Sequence, residues 1–208
     1  KIAILLHPYG PLGGTMHDPL IVSLSRQLNL LGYLVIRPNL RGSGNSGGRT
    51  TWTGSSECED LYLLIKSIFL KEESLLKDII NTPITNFNCK KLMVLGYSYG
   101  SVIASKINGE TSSEITTFYL ALISYPYGYL WALTLFNSTK FNQYLKEAVE
   151  LTKADEMKLF LCFGTRDQFT SLEHYQEWIS NFFEHIEEGR TTDNMVYHIR
   201  KDADHFWR

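Results

Sequence analysis

The chain has 208 residues, 44% of them apolar and 20% charged, with a formal net charge of −2. That length supports one sizeable core, and the near-zero charge offers no basic field of the kind that gathers nucleic acid. No apolar run reaches the roughly 18 residues needed to span a bilayer, so no integral membrane segment is expected.

Short apolar runs alternate with amphipathic segments along the chain. "KIAILL" (1–6) reads as a buried strand. Asp18 then caps a helix with Pro19 at its first position, and Leu20, Leu24, Leu28 and Leu31 form an apolar stripe that stops at Gly32. "YLVIR" (33–37) is a second strand, followed by the glycine-rich "PNLRGSGNSGG". Ser56 and Glu59 have the spacing of a capping box for a helix carrying Leu61, Leu64, Ile65 and Ile68. The polar stretch 71–90 reads as a surface excursion. "KLMVLG" (91–96) is the third strand, and the small residues after Ser98 suit a helix. "TFYLALIS" (117–124), "MKLFLCFG" (157–164) and "NMVYHIR" (194–200) supply three more strands, with a helix over "SLEHYQEWISNFFEHI" (171–186) between the last two.

Near-continuous apolar strands that alternate with helices predict one α/β domain over residues 1–208. Its core is a doubly wound, mostly parallel sheet with helices on both faces. Cys58, Cys89 and Cys162 are odd in number and fit no metal-ligand spacing. They read as reduced, buried thiols of a cytoplasmic protein. The single sequon Asn137-Ser138-Thr139 is no more than chance supplies in a chain this long. No metal and no organic cofactor is implied.

One stretch carries chemistry. In "LGYSYGS" a strand runs into Gly96-Tyr97-Ser98-Tyr99-Gly100 and then into a helix. Gly-x-Ser-x-Gly in that setting is a nucleophile elbow: a sharp turn lifts the serine hydroxyl above the carboxyl edge of the sheet, and the glycines avoid collisions with neighbouring backbone. A serine needs a base, and the base needs an orienting carboxylate, in the chain order Ser, Asp or Glu, His. Asp167 follows the strand "MKLFLCFG", and His205 follows the last strand. Asp167 has a second available role as a helix cap. Asp202 and Asp204 share the loop of His205 and read as solvated turn residues. His198 lies within a strand, His174 and His185 ride on a helix, and His17 precedes a helix cap, so His205 is the base by position. The oxyanion donors are then the backbone N–H groups of Tyr9, in the loop "HPYGPLGGTM", and Tyr99.

"HPYGPLGGTM", "RPNLRGSGNSGG", "GYSYGS", "GTRDQF" and "DADHFW" occur in the order found in the α/β-hydrolase superfamily. The chain resembles its small, lid-poor branch of dienelactone-hydrolase-like and prolyl-oligopeptidase-like serine hydrolases. The resemblance runs from Ile2 to Trp207. It implies an α/β-hydrolase fold with Ser98 as nucleophile, Asp167 as orienting acid and His205 as base, and it makes the Arg41-Gly42 turn structural. Members of the superfamily carry two strands before "KIAILL" and a helix after the catalytic histidine. This chain starts without methionine and stops three residues after His205, which suggests a piece of a longer protein.

Two rival readings stand beside the hydrolase. "GSGNSG" (42–47) matches G-x-G-x-x-G and would place Glu59 or Asp60 at a ribose. A helix must open at the third glycine for that, and "GRTTWTG" reads as loop instead. The second rival is an α/β-hydrolase fold used as an idle binding or scaffold module. The expected substrate is a small acyl ester or thioester. The aromatic insertion "SYPYGYLWALTLF" (124–136) follows the fourth strand. Tyr125, Tyr127 and Trp131 from this insertion, with Tyr97, are candidates to line its pocket.

Overall fold

The computed structural model describes residues 1–69, 89–107, 115–182 and 193–208. Six strands form one sheet in the order β2-β1-β3-β4-β5-β6, and every pairing is parallel. They are β1 (Ile2–Leu6), β2 (Leu34–Ile36), β3 (Lys91–Tyr97), β4 (Thr117–Ile123), β5 (Met157–Arg166) and β6 (Met195–Asp204). The expected strands are all present. β5 and β6 run on past their apolar cores to Arg166 and Asp204, with a bulge between Gly164 and Arg166.

The helices are α1 (Pro19–Leu30), α2 (Ser55–Phe69), α3 (Tyr99–Ala104), α4 (Leu130–Leu133), α5 (Ser138–Lys153) and α6 (Leu172–Phe182). Strand side chains alternate between faces, so β1 to β5 feed two cores. Ala3, Leu5, Leu95, Tyr97, Ala121 and Ile123 meet Ile21 and Leu28 of α1 on one face. Ile4, Leu6, Val94, Leu120, Leu122 and Leu161 meet the other helices on the opposite face. On the α1 side a groove of about 380 Å³ runs between α1 and strands β3 to β6, floored by Met93, Leu95, Ala121, Phe160 and Val196.

Local signals hold at some helix ends and shift at others. Asp18 caps α1 as expected, its carboxylate accepting from the N–H groups of Leu20 and Ile21. The buried stripe of α1 is Ile21, Ser25 and Leu28, while Leu31 lies beyond the helix end and is 63% exposed. The Ser56–Glu59 capping box does not form, because α2 starts at Ser55 and places both residues inside the helix. Glu57 does the tethering instead, accepting from the N–H and the hydroxyl of Thr51. Most of the stretch 71–90, and residues 183–186 of the expected last helix with His185, lie outside the described residues.

The strand order reverses at β1: β2 lies on one side of it and β3 on the other. Open parallel sheets bind ligands in the crevice at the carboxyl ends of the strands flanking such a reversal. Leu6 and Gly96, the ends of β1 and β3, are register partners there.

Candidate active site

β3 delivers Ser98 to that crevice. The backbone at Ser98 turns to φ 54°, ψ −122°, a left-handed conformation that costs a non-glycine residue of order 1–3 kcal/mol. Its N–H donates to the Ile123 carbonyl at 2.9 Å, and its own carbonyl accepts from the Ser101 N–H and hydroxyl. Both flanking glycines are required sterically. A Cβ on Gly96 would lie 2.2 Å from the Gly100 carbonyl oxygen, and one on Gly100 would lie 2.4 Å from that of Leu6.

Ser98, Asp167 and His205 converge although they are far apart in sequence. Ser98 Oγ is 2.8 Å from His205 Nε2. His205 Nδ1 lies 2.8 Å from Asp167 Oδ2 and 3.0 Å from Oδ1. All three side chains are buried. The carboxylate is held from other directions as well. Oδ1 accepts from the N–H groups of Phe169 (2.8 Å) and Thr170 (3.1 Å), and the Tyr175 hydroxyl stands 3.2 Å from Oδ2. Asp167 thus meets its own loop and the imidazole with the same carboxylate, but it does not cap a helix: α6 begins at Leu172, and Ser171 Oγ accepts from the His174 N–H there.

Tyr175, on α6, has a single phenolic proton and two acceptors in reach: Asp167 and the Tyr125 carbonyl at 3.0 Å. Burial, and then the Asp167 charge, push this phenol well above the ordinary tyrosine range, so it stays a donor. The backbone of His205 is fixed twice: its N–H donates to Gln168 Oε1 (3.0 Å), and its carbonyl accepts from the Tyr97 hydroxyl (2.7 Å). Asp204 closes the following turn by accepting from the N–H groups of Phe206 and Arg208. The Arg208 N–H above all holds its carboxyl below the usual range. Asp202 pairs with Arg166 at 2.8 Å on the surface.

The loop after β1 is braced by the turn after β2. Arg37 donates to the Met16 carbonyl, Met16 N–H to Asn39 Oδ1, and Leu40 N–H to His7 Nε2, each at 2.9 Å. His7 is fully buried and completes its bonding by donating from Nδ1 to the Pro8 carbonyl (2.6 Å). Burial lowers its pKa, which keeps the ring neutral. Arg41 is fixed to Asp60 through two hydrogen bonds of 2.6 and 2.5 Å. That ion pair engages Asp60, one of the two carboxylates a dinucleotide site could have used, and no helix opens between Gly47 and Ser55. The Tyr9 and Tyr99 rings meet edge to face at 5.0 Å. Among the described residues no hydrogen-bond acceptor faces the N–H of either.

The expected pocket residues divide. Tyr97 points to the α1 face as the third of the alternating set Met93, Leu95 and Tyr97, and is 2% exposed under His205. Tyr125 is 1% exposed and stacks on Trp178 at 5.1 Å. Neither lines an open surface, because each is packed into a core. Tyr127 is half-buried on Trp178, and Trp131 is exposed beside Phe136. The rings nearest His205 come from residues the sequence reading passed over, Phe169 and Phe206. Among the described residues no cluster of His, Cys, Asp and Glu is arranged to hold a metal ion, and no helix is long and apolar enough to cross a membrane. The three cysteines are free and buried, with Cys58 pushed up to about 12 and Cys162 to about 11 by burial.

No family model matches the sequence, and no curated protein matches it. Solved structures do. An α/β serine hydrolase without lid from Xanthomonas campestris superposes with a TM-score of 0.63 at 20% identity, over 99% of this chain and 73% of that one. An alpha-beta serine hydrolase homologue from Coxiella burnetii gives 0.65 at 20% identity, over 99% and 76%. An esterase from Pyrococcus furiosus gives 0.64 at 22% identity, over 99% and 74%. At such identities the likeness speaks for architecture, and together with the all-parallel sheet it establishes that the chain has the α/β-hydrolase fold.

Proposed function

We propose that the protein is a serine hydrolase that cleaves small acyl esters or thioesters through an acyl-enzyme. The observation that carries this reading is the unbroken hydrogen-bond chain from Ser98 Oγ through His205 to Asp167, 2.8 Å at each link. Ser98 is the nucleophile. His205 Nε2 takes the hydroxyl proton as Oγ attacks the carbonyl carbon, and Asp167 keeps the Nδ1 proton in place and stabilises the imidazolium. The N–H groups of Tyr9 and Tyr99 receive the oxyanion. The imidazolium then protonates the leaving oxygen or sulfur, and the acyl–Oγ bond remains. Water, deprotonated by the same imidazole, releases the acid.

An idle scaffold would have no use for a strained Ser98 or for a carboxylate held by two backbone N–H groups and a phenol. The test is hydrolysis of p-nitrophenyl acetate by the full chain and by Ser98→Ala. Turnover that disappears in the variant supports the hydrolase. Turnover at the same rate in both would sink the assignment, and a folded protein without turnover would favour the scaffold.

A further inference from the structure

Aromatic rings stand against the imidazole of His205. Phe169 lies 4.2 Å from it between centroids, and Phe206 5.6 Å. Tyr129 meets Phe169 edge-on at 5.5 Å, and Phe206 meets it nearly at right angles at 6.1 Å. Phe169 is half-buried, while Tyr129 and Phe206 are 48% and 49% exposed. Single exposed aromatics are ordinary on a protein surface. A contiguous set beside a group in reacting position marks a binding site.

These rings are pinned in place. The Phe169 N–H is bonded to Asp167 Oδ1, and the Phe206 N–H to Asp204 Oδ1. The segment carrying Tyr129 is tied down by Gly128, whose N–H donates to Thr170 Oγ1 at 3.1 Å. A Cβ at Gly128 would lie 2.6 Å from the Phe169 carbonyl oxygen, so only glycine lets the two segments approach this closely. A surface fixed in advance loses little freedom when a ligand covers it.

Its place relative to the reaction decides what it touches. The ester C–O bond breaks as Ser98 Oγ bonds to the carbonyl carbon. The hydroxyl proton travels through His205 Nε2 to the departing oxygen. The departing alcohol must therefore lie against the imidazole, while the carbonyl oxygen turns to the N–H groups of Tyr9 and Tyr99. Rings that flank the imidazole flank the alcohol.

We infer that Tyr129, Phe169 and Phe206 form a subsite for the alcohol portion of the ester, and that it selects alcohols bearing an aromatic ring. The inference rests on the serine hydrolase reading. Edge-to-face and offset contacts favour a flat aromatic group over a saturated ring of the same size. Two such contacts correspond to a preference of about tenfold.

The experiment compares kcat/KM for benzyl, cyclohexylmethyl and ethyl acetate in the full chain, Tyr129→Leu, Phe169→Leu and Ser98→Ala. The acyl group is constant, so only the alcohol varies. Expected is a benzyl-over-cyclohexylmethyl ratio of about ten, falling toward one in both leucine variants. If Phe169→Leu does not fold, Tyr129→Leu, at a half-exposed position, carries the comparison. Equal benzyl and cyclohexylmethyl rates, or a preference that both variants keep, would overturn the subsite while Ser98-dependent turnover left the hydrolase standing. Absence of Ser98-dependent turnover on all three esters would overturn both.

Discussion

Replacing Asp167 with asparagine separates the orienting role of this carboxylate from its bulk. Asparagine has the same shape but only one acceptor oxygen. If that oxygen takes the Oδ1 position, it keeps the N–H groups of Phe169 and Thr170, now at 2.8 and 3.1 Å. The amide NH₂ then occupies the Oδ2 position, facing His205 Nδ1 and the Tyr175 hydroxyl. The opposite orientation sets NH₂ against two backbone donors, at about 1–3 kcal/mol for each unmet group, so the first orientation wins by roughly 2–6 kcal/mol. Tyr175 can turn its proton to the Tyr125 carbonyl, so the fold tolerates the change. His205 cannot adapt harmlessly. Its Nδ1 must accept from the amide, the ring proton moves to Nε2, and Nε2 can no longer take the proton of Ser98. A tautomer switch of this kind costs about ten-thousand-fold in kcat, or about 5 kcal/mol. The assay is steady-state hydrolysis of p-nitrophenyl acetate with Ser98→Ala as background, beside thermal unfolding of both proteins. A kcat within tenfold of the parent, with an unchanged Tm, would refute the orienting role.

Tyr175→Phe removes one neutral donor from the carboxylate and leaves the stack of ring 175 on Phe163. A drop in kcat of about fivefold with KM unchanged is expected, equivalent to about 1 kcal/mol, and steady-state kinetics measures it. Gly100→Ala drives a Cβ to 2.4 Å from the Leu6 carbonyl oxygen and 2.7 Å from that of His7, atoms of a buried strand end that cannot move aside. Urea unfolding should record a loss of at least about 2–3 kcal/mol. Stability should also depend on pH through His7. Burial lowers its pKa in the folded protein, while in the unfolded chain it titrates near the usual value of about 6.5. Below that pH the unfolded state binds the extra proton. The urea midpoint is therefore level above about pH 6.5 and falls as pH decreases toward the folded value. His7→Gln, which cannot take up that proton, should flatten the slope below about pH 6.5.

The sheet was legible because six apolar runs coincide with six parallel strands, and in the central strands β1, β3 and β4 burial on both faces leaves such runs little freedom to be anything else. Ser98, Asp167 and His205 stood out because each follows a strand at its carboxyl end, so position in the chain fixed position in space. Period-two alternation would also have placed Tyr97 on the α1 face with Met93 and Leu95, yet its nearness to the serine suggested a pocket wall. Tyr125 misled for a different reason: aromatic composition does not distinguish a ring stacked on Trp178 from one open to a substrate. The contact of Gln168 with His205 was invisible because it joins residues 37 apart, and that of Tyr175 with Asp167, eight residues apart, depends on how α6 packs against the loop after β5. The buried, neutral role of His7 depends on Leu40 in another loop, and no local pattern announces it. Capping spacing failed at Ser56 because Gly54, at φ +68°, turns the chain into α2 before that box begins.

The central claim, that Ser98 is a nucleophile activated by His205, is tested most directly by intact-mass measurement after exposure to a fluorophosphonate. Expected is a single adduct on the full chain, mapped to Ser98, and no adduct on Ser98→Ala or His205→Ala at matched times. An adduct that persists in Ser98→Ala, or a well-folded parent that never acquires one, would contradict it.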